Sequence, residues 1–335
     1  MGPMPKKKSL TLQRVLVLLL AYIMLAVCGG VAASVLFVPG VVGANKAAKA
    51  VIPSLKVENV DFDVTSLPQK STMYARDGST VIATFYNQNR IVVPLKKISK
   101  TMQQAVVARE DRRFWTHAGV DVQGVMRAFV QTYLVKGSQQ GGSSLTQQYV
   151  KNVLLMQAIE DDDSIAQYHA TEDTIARKIR EMLISVQMEK KYSKAEILQG
   201  YLNIAQFGNN LYGVETAAQR YFSVSAADLN VVQSATIAAI TKNPSLYDPL
   251  VEENQKESEN QRNIVLKLML QEGYITQKQY TEAVNTPLKD TLKAQDVNVG
   301  CQDTGDYAYF CDFVVHRIQN SEEFGKTRAE RNKLL

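Results

Sequence analysis

Apolar residues run uninterrupted by charge from Val15 to Val38, and charged residues return on both sides. A helix of roughly 24 residues covers about 36 Å, enough to cross a bilayer core of about 30 Å, so the stretch predicts a transmembrane helix over 15–38. It is longer than the apolar core of a cleaved signal, roughly 7 to 15 residues, and no convincing small-x-small cleavage site follows it. A lipoprotein signal at Cys28 fits poorly, because Val27 stands where a small residue is wanted. Residues 1–14 are then a tail, and 39–71 a linker that mixes Gly, Ala, Lys, Pro and Ser with little periodicity. From Thr72 to Val93 apolar and polar residues alternate around Asp77 and Gly78, which predicts a small β-hairpin element. After it, apolar spacings of three and four predict helices over Thr101–Arg109, Val122–Val135, Ser143–Met156, Ile175–Lys190, Lys194–Ile204 and Leu229–Ile240. The acidic run Glu160 to Asp163 reads as a solvated loop between helices. Pro244, Pro249 and the charged stretch Glu252 to Glu259 close that body, and Gln261–Leu270 forms a last amphipathic helix before Gly273. The fold class is therefore mainly α, and with no alternation of strand and helix a doubly wound sheet is unsupported.

Composition narrows the function classes. The chain has 335 residues, 45% of them hydrophobic, which excludes a disordered or collagen-like chain. Its net charge of +5 is spread along the length rather than clustered, so nucleic acid is an improbable partner. Lys6, Lys7, Lys8 and Arg14 precede the apolar span, against Lys46 and Lys49 after it. That bias places the N-terminus in the cytoplasm and the remainder outside, a single-pass arrangement in the cell membrane. In an oxidising compartment Cys301 and Cys311, which flank a short loop, are expected to form a disulfide, with two free buried thiols as the alternative. No G-x-G-x-x-G or Walker pattern occurs, so no nucleotide site is expected.

Three blocks carry candidate chemistry. In the first, Glu110, Asp111, Arg112 and Arg113 would alone be a charge cluster at a helix end, but Phe114, Trp115, His117 and Gly119 follow at once. A carboxylate beside an aromatic wall is a candidate general base or acid. The second runs from Gly141 through Ser143, Thr146, Gln147, Gln148 and Lys151 to Asn152. Two glycines before a helix start, and hydrogen-bonding groups at this density, suit sugars or phosphates. In the third, Arg177, Lys178 and Glu181 share a helix face. Cations beside a carboxylate can neutralise charge on a phosphate-bearing leaving group.

Taken in order, EDRRFWTHAG, GGSSLTQQYVKN, RKIREMLISVQMEKKYSKAEILQGYLN, FGNNLYGV and AAQRYF resemble the motif set of the family 51 peptidoglycan glycosyltransferases. With the N-terminal anchor, RNIVLKLMLQEGYIT and the Cys-flanked end, the whole is similar to the N-terminal part of a class A penicillin-binding protein of actinobacterial type. The resemblance implies a lysozyme-like glycosyltransferase domain, placed at 72–275, seated on the outer face of the membrane. It implies polymerisation of lipid II: the GlcNAc 4-hydroxyl attacks C1 of MurNAc at the reducing end of the growing lipid-linked glycan. A β-1,4 bond forms with inversion, and undecaprenyl pyrophosphate leaves. By motif match Glu110 is the general base, and Glu181 organises the pyrophosphate side with cations. Lys151, Arg177 and Lys178 match the basic residues that hold pyrophosphate and lipid-linked sugar. Phe114, Ser143, Thr146, Gln147, Gln148 and Asn152 match the wall of the cleft. A divalent cation, magnesium or manganese, is compatible with such a site, although the sequence shows no dedicated cage. Cell-wall synthesis or division proteins are the partners that such a chain implies.

Gln199 and Gln233 depart from the pattern, since each stands where a Glu is common, and altered packing or stability is the expected effect. No serine has Lys three residues on, so the S-x-x-K nucleophile of a transpeptidase domain is not expected here. Residues 276–335 read as the start of a linker toward that domain. A muramidase or lytic transglycosylase is the rival enzyme, which has no need of the basic cluster; an inactive membrane scaffold is the rival non-enzyme.

Overall fold

The computed structural model describes residues 62, 69–86, 88–133, 141–295, 300–302, 304–332 and 334–335, with 128–133 and 329 described in backbone alone. The expected tail and transmembrane span lie outside these residues, as does most of the linker. Among the described residues no helix is long and apolar enough to cross a membrane.

The chain enters through a hairpin in which β1 (Ser71–Tyr74) pairs antiparallel with β2 (Val81–Phe85). Asp77 Oδ1 accepts the Ser79 and Thr80 N–H groups at 3.0 and 2.9 Å, and Gly78 adopts φ +70°, so the expected turn residues close it. The hairpin is shorter than the alternation suggests. Beyond it, β3 (Asn89–Arg90) runs parallel to β5 (Leu211–Tyr212), which pairs antiparallel with β4 (Gln206–Gly208). Arg90 is wholly buried there with its guanidinium 5.2 Å from the Tyr212 ring centre, and burial draws its pKa down to about 10.

Helices make up most of the rest. They are α1 (Lys100–Glu110), α2 (Val122–Tyr133), α3 (Leu145–Glu160), α4 (Ser164–Thr171), α5 (Ile175–Lys191) and α6 (Lys194–Ile204). After the small sheet come α7 (Val214–Phe222), α8 (Val231–Ile240), α9 (Gln255–Gln271), α10 (Gln277–Asn285), α11 (Leu288–Thr291), α12 (Ala308–Asn320) and α13 (Arg328–Asn332). Side chains start most of the long ones: Ser99 caps α1, Thr174 caps α5, and capping boxes open α3, α6, α8 and α10. Two helical groups result. In one, α1, α8 and α9 pack together through Met102, Ala105, Val106, Ala235, Ala238, Ala239, Val265, Leu266 and Met269, all buried. In the other, α3 lies against α4, α5 and α6. Close approach of α3 and α6 needs Gly200, because a Cβ there would stand 2.2 Å from the Tyr149 ring.

Several boundaries differ from the sequence expectation for local reasons. The acidic run is not all loop: Glu160 ends α3, and Asp163 caps α4 by accepting from Ile165 and Ala166 N–H. The helix expected over Gln261–Leu270 begins at Gln255, because the charges before it form its solvated first turns, and it is not the last, since α10 and α12 follow it. Gln199 and Gln233 make the bonds that an acceptor oxygen is needed for. Gln199 Oε1 accepts the Leu95 N–H at 2.8 Å, and Gln233 closes the α8 capping box by accepting the Asn230 N–H at 3.1 Å. The C-terminal segment folds on the hairpin rather than alone. Cys301 and Cys311 form a disulfide with Cα atoms 5.5 Å apart, Cys311 is buried with Ile82 and Ala83, and Gly300 N–H donates to Thr84 O at 2.9 Å.

Candidate active site

Glu110 is the last residue of α1, where the first helical group meets the second. Its Oε2 accepts from Gln148 Nε2 of α3 at 2.8 Å, and its Oε1 accepts from the Thr241 hydroxyl, just past α8, at 2.7 Å. The Gln148 amide is oriented by Tyr201, whose hydroxyl lies 3.3 Å from Gln148 Oε1. Burial, with Glu110 nearby, pushes the Tyr201 phenol well above its ordinary pKa, so it remains a donor. Both of these hydrogen bonds to the half-buried carboxylate come from neutral groups.

The next residue fixes the seam. Asp111 Oδ2 accepts the Leu145 N–H at the start of α3 at 3.0 Å, and lies 2.8 Å from His117 Nε2. His117 Nδ1 is 3.5 Å from Lys194 Nζ, which donates to Glu189 Oε1 at 2.7 Å; Thr146 donates to the same oxygen at 2.5 Å. Asp111, His117, Thr146 and Glu189 are largely withdrawn from solvent, so this network binds α1, α3, α5 and α6 together behind Glu110. The turn through Gly119 completes it, with Gly119 O accepting from Ser144 Oγ at 2.6 Å. Gly119 has φ +87°, and a Cβ there would lie 2.7 Å from the Ser185 backbone, so both conformation and space demand glycine.

The second cluster lies at the start of α5. Glu181 is only 2% exposed. Arg177 Nη1 donates to its Oε1, and Lys178 Nζ to its Oε2 at 2.8 Å. Lys178 also reaches Ser143 Oγ at 3.0 Å, which ties the cluster to the entry of α3. Burial, and then the neighbouring Arg177, hold the Lys151 amine below the ordinary lysine pKa, while Glu181 pulls the other way. Gln148, Lys151 and Asn152 are partly exposed and lie three and four residues apart, so one face of α3 serves both clusters.

Three expected cleft residues turn inward. Phe114 has no exposed surface: it packs edge-on against Trp115, with Lys194 Nζ 4.5 Å above its ring. Thr146 is equally buried on Glu189, and Gln147 completes the α3 capping box at 1% exposure. All three side chains are withdrawn from solvent. Thr241, Tyr201, Glu189 and Lys194 were not singled out by the sequence. Of these, Thr241 and Tyr201 touch the Glu110 hydrogen bonds; Tyr201 lies in the motif ending QGYLN, whereas Thr241 carries no local signal. A divalent cation does not fit the donor set, since both Glu181 oxygens are engaged by cations and Lys151 adds a third positive charge. No group of three His, Cys, Asp or Glu residues able to hold a metal occurs among the described residues.

The transglycosylase family matches residues 78–270 of this chain. Penicillin-binding protein 4 of Bacillus subtilis is 38% identical over 272 residues, covering 80% of this chain and 40% of its own length. Penicillin-binding protein 1A of Aquifex aeolicus is 39% identical over 229 residues, 68% of this chain and 29% of its own. Penicillin-binding protein 1A/1B of Bacillus subtilis is 32% identical over 290 residues, 86% of this chain and 30% of its own. The chain therefore spans well under half the length of these relatives. With its motifs in order and more than half its length matched, the chain belongs to the transglycosylase family, the peptidoglycan glycosyltransferases of the penicillin-binding proteins.

Proposed function

We propose that residues 72–275 polymerise lipid II, with Glu110 as general base. The GlcNAc 4-hydroxyl of the acceptor gives its proton to Glu110 as its oxygen bonds C1 of the donor MurNAc. The C1–O bond to pyrophosphate breaks on the opposite face, and its electron pair leaves with undecaprenyl pyrophosphate. Attack from the far side gives inversion and a β-1,4 link. Lys151 and Lys178 present positive charge to the leaving group, and Arg177 with Glu181 keeps Lys178 in position. The observation that carries this reading is the arrangement on α3, which sets a carboxylate held by neutral donors one turn from a cationic cluster. A muramidase would use a carboxylate but would have no use for three cations around a second one. Ser143, Gln148 and Asn152 would contact the sugars.

The same reading takes residues 15–38 as a single-pass anchor with a cytoplasmic N-terminus. Val122 and Met126 of α2, with Ile175 at the start of α5, are exposed apolar residues suited to the headgroup region and the lipid tail. Cell-wall synthesis or division proteins are the partners that this location implies. The test is polymerisation of lipid II by the full chain in detergent, with a lysozyme digest of the product. Wild type is expected to give digestible polymer and Glu110→Gln none. A folded wild type that makes no polymer, or that degrades preformed glycan, would overturn the reading.

A further inference from the structure

Gln148 and Thr241 differ in what they can do for Glu110. The Gln148 amide nitrogen only donates, and Tyr201 keeps it turned toward Glu110. The Thr241 hydroxyl lies 2.7 Å from Glu110 Oε1 and 2.8 Å from the carbonyl oxygen of Ala238, so one hydrogen has two acceptors in reach. We propose that Thr241 is a positioning residue for Glu110 that serves both of its protonation states. While Glu110 is a carboxylate, Thr241 donates to Oε1. Once Oε1 carries the proton from the acceptor hydroxyl, Thr241 turns its hydrogen to Ala238 O, and its oxygen accepts the new O–H. No heavy atom has to move, because Thr241 directly follows the buried stretch Ser234 to Ile240 that anchors α8. The carboxyl group thus stays in one place before and after proton transfer, which preorganises it. This inference rests on Glu110 being the base.

The test compares Thr241→Val, Thr241→Ala, Thr241→Ser and Glu110→Gln in the full chain, measuring kcat and KM for lipid II polymerisation together with thermal unfolding. Thr241→Val and Thr241→Ala are expected to lower kcat by about tenfold to a hundredfold, the scale of a lost hydrogen bond to a charged group. KM should stay within about twofold, since ground-state binding is not touched. Thr241→Ser, which keeps the hydroxyl, should return kcat to within about threefold of wild type. Unimpaired Thr241→Val beside an inactive Glu110→Gln would sink this inference alone. Equal losses in the Ser and Val variants would mean that the methyl group, not the hydroxyl, matters, and would sink it too. An active Glu110→Gln would remove the base assignment and this inference with it.

Discussion

Two glutamates sit in opposite surroundings. Glu110 is half-buried and receives hydrogens from an amide and a hydroxyl; Glu181 is buried and receives them from a guanidinium and an ammonium. Neutral donors hold Glu110 without an ion pair, whereas two ion pairs bind Glu181 to its cations. The same residue type is therefore suited to proton transfer in one place and to holding cations in the other.

The largest effect should come from breaking this contrast at Glu110. Glu110→Gln preserves shape and is expected to lower kcat by about a thousandfold, within the range of general base catalysis, with the thermal midpoint barely changed. Glu181→Ala should act on both stability and activity. It leaves Arg177 and Lys178 without their shared partner, at a cost of about 3 kcal/mol visible in urea unfolding. Asp111→Ala touches neither cluster directly, yet it removes the acceptor of Leu145 N–H and His117. A loss of about 2 kcal/mol is expected, with kcat falling because the seam behind Glu110 loosens.

A smaller effect concerns pH. Burial holds the folded Lys151 pKa below that of an ordinary lysine, so between the two the unfolded chain holds more protons and stability rises with pH. Pyrophosphate binding runs the other way, because it needs the charged amine. KM for lipid II should rise with pH earlier than an ordinary lysine would dictate, and Lys151→Arg should move that rise to higher pH. An unchanged alkaline limb in Lys151→Arg would remove Lys151 from the leaving-group side.

The helices were legible where apolar residues recur every three or four positions, as in Ile175–Lys191 and Lys194–Ile204. The three-stranded sheet was not, since strands as short as Asn89–Arg90 have no period to show. Within α3 the inward turn of Thr146 was present in the sequence but outweighed by motif. Leu145, Tyr149, Val150, Val153 and Met156 mark the buried face, and Thr146 lies three and four residues from Tyr149 and Val150. Ser144 and Gln147 likewise carry the S-x-x-Q signature of a capping box, the position Gln147 fills. Thr241 had no such signal, because its value comes from where α8 ends relative to α1, a tertiary fact. Gln199 and Gln233 show the reverse case: an amide oxygen replaces a carboxylate wherever only an acceptor is needed.

Gln148 and Lys151 are separated by a helix rise of about 4.5 Å, so α3 acts as a ruler between the two glutamates. A side-chain substitution along it changes one contact at a time. A single inserted or deleted residue between Ser144 and Asn152 would instead rotate one reading of the ruler by about 100° against the other. A change in length between Ser144 and Asn152 should therefore cost more than a change of any one side chain there, because it moves Gln148 and Lys151 relative to each other at once.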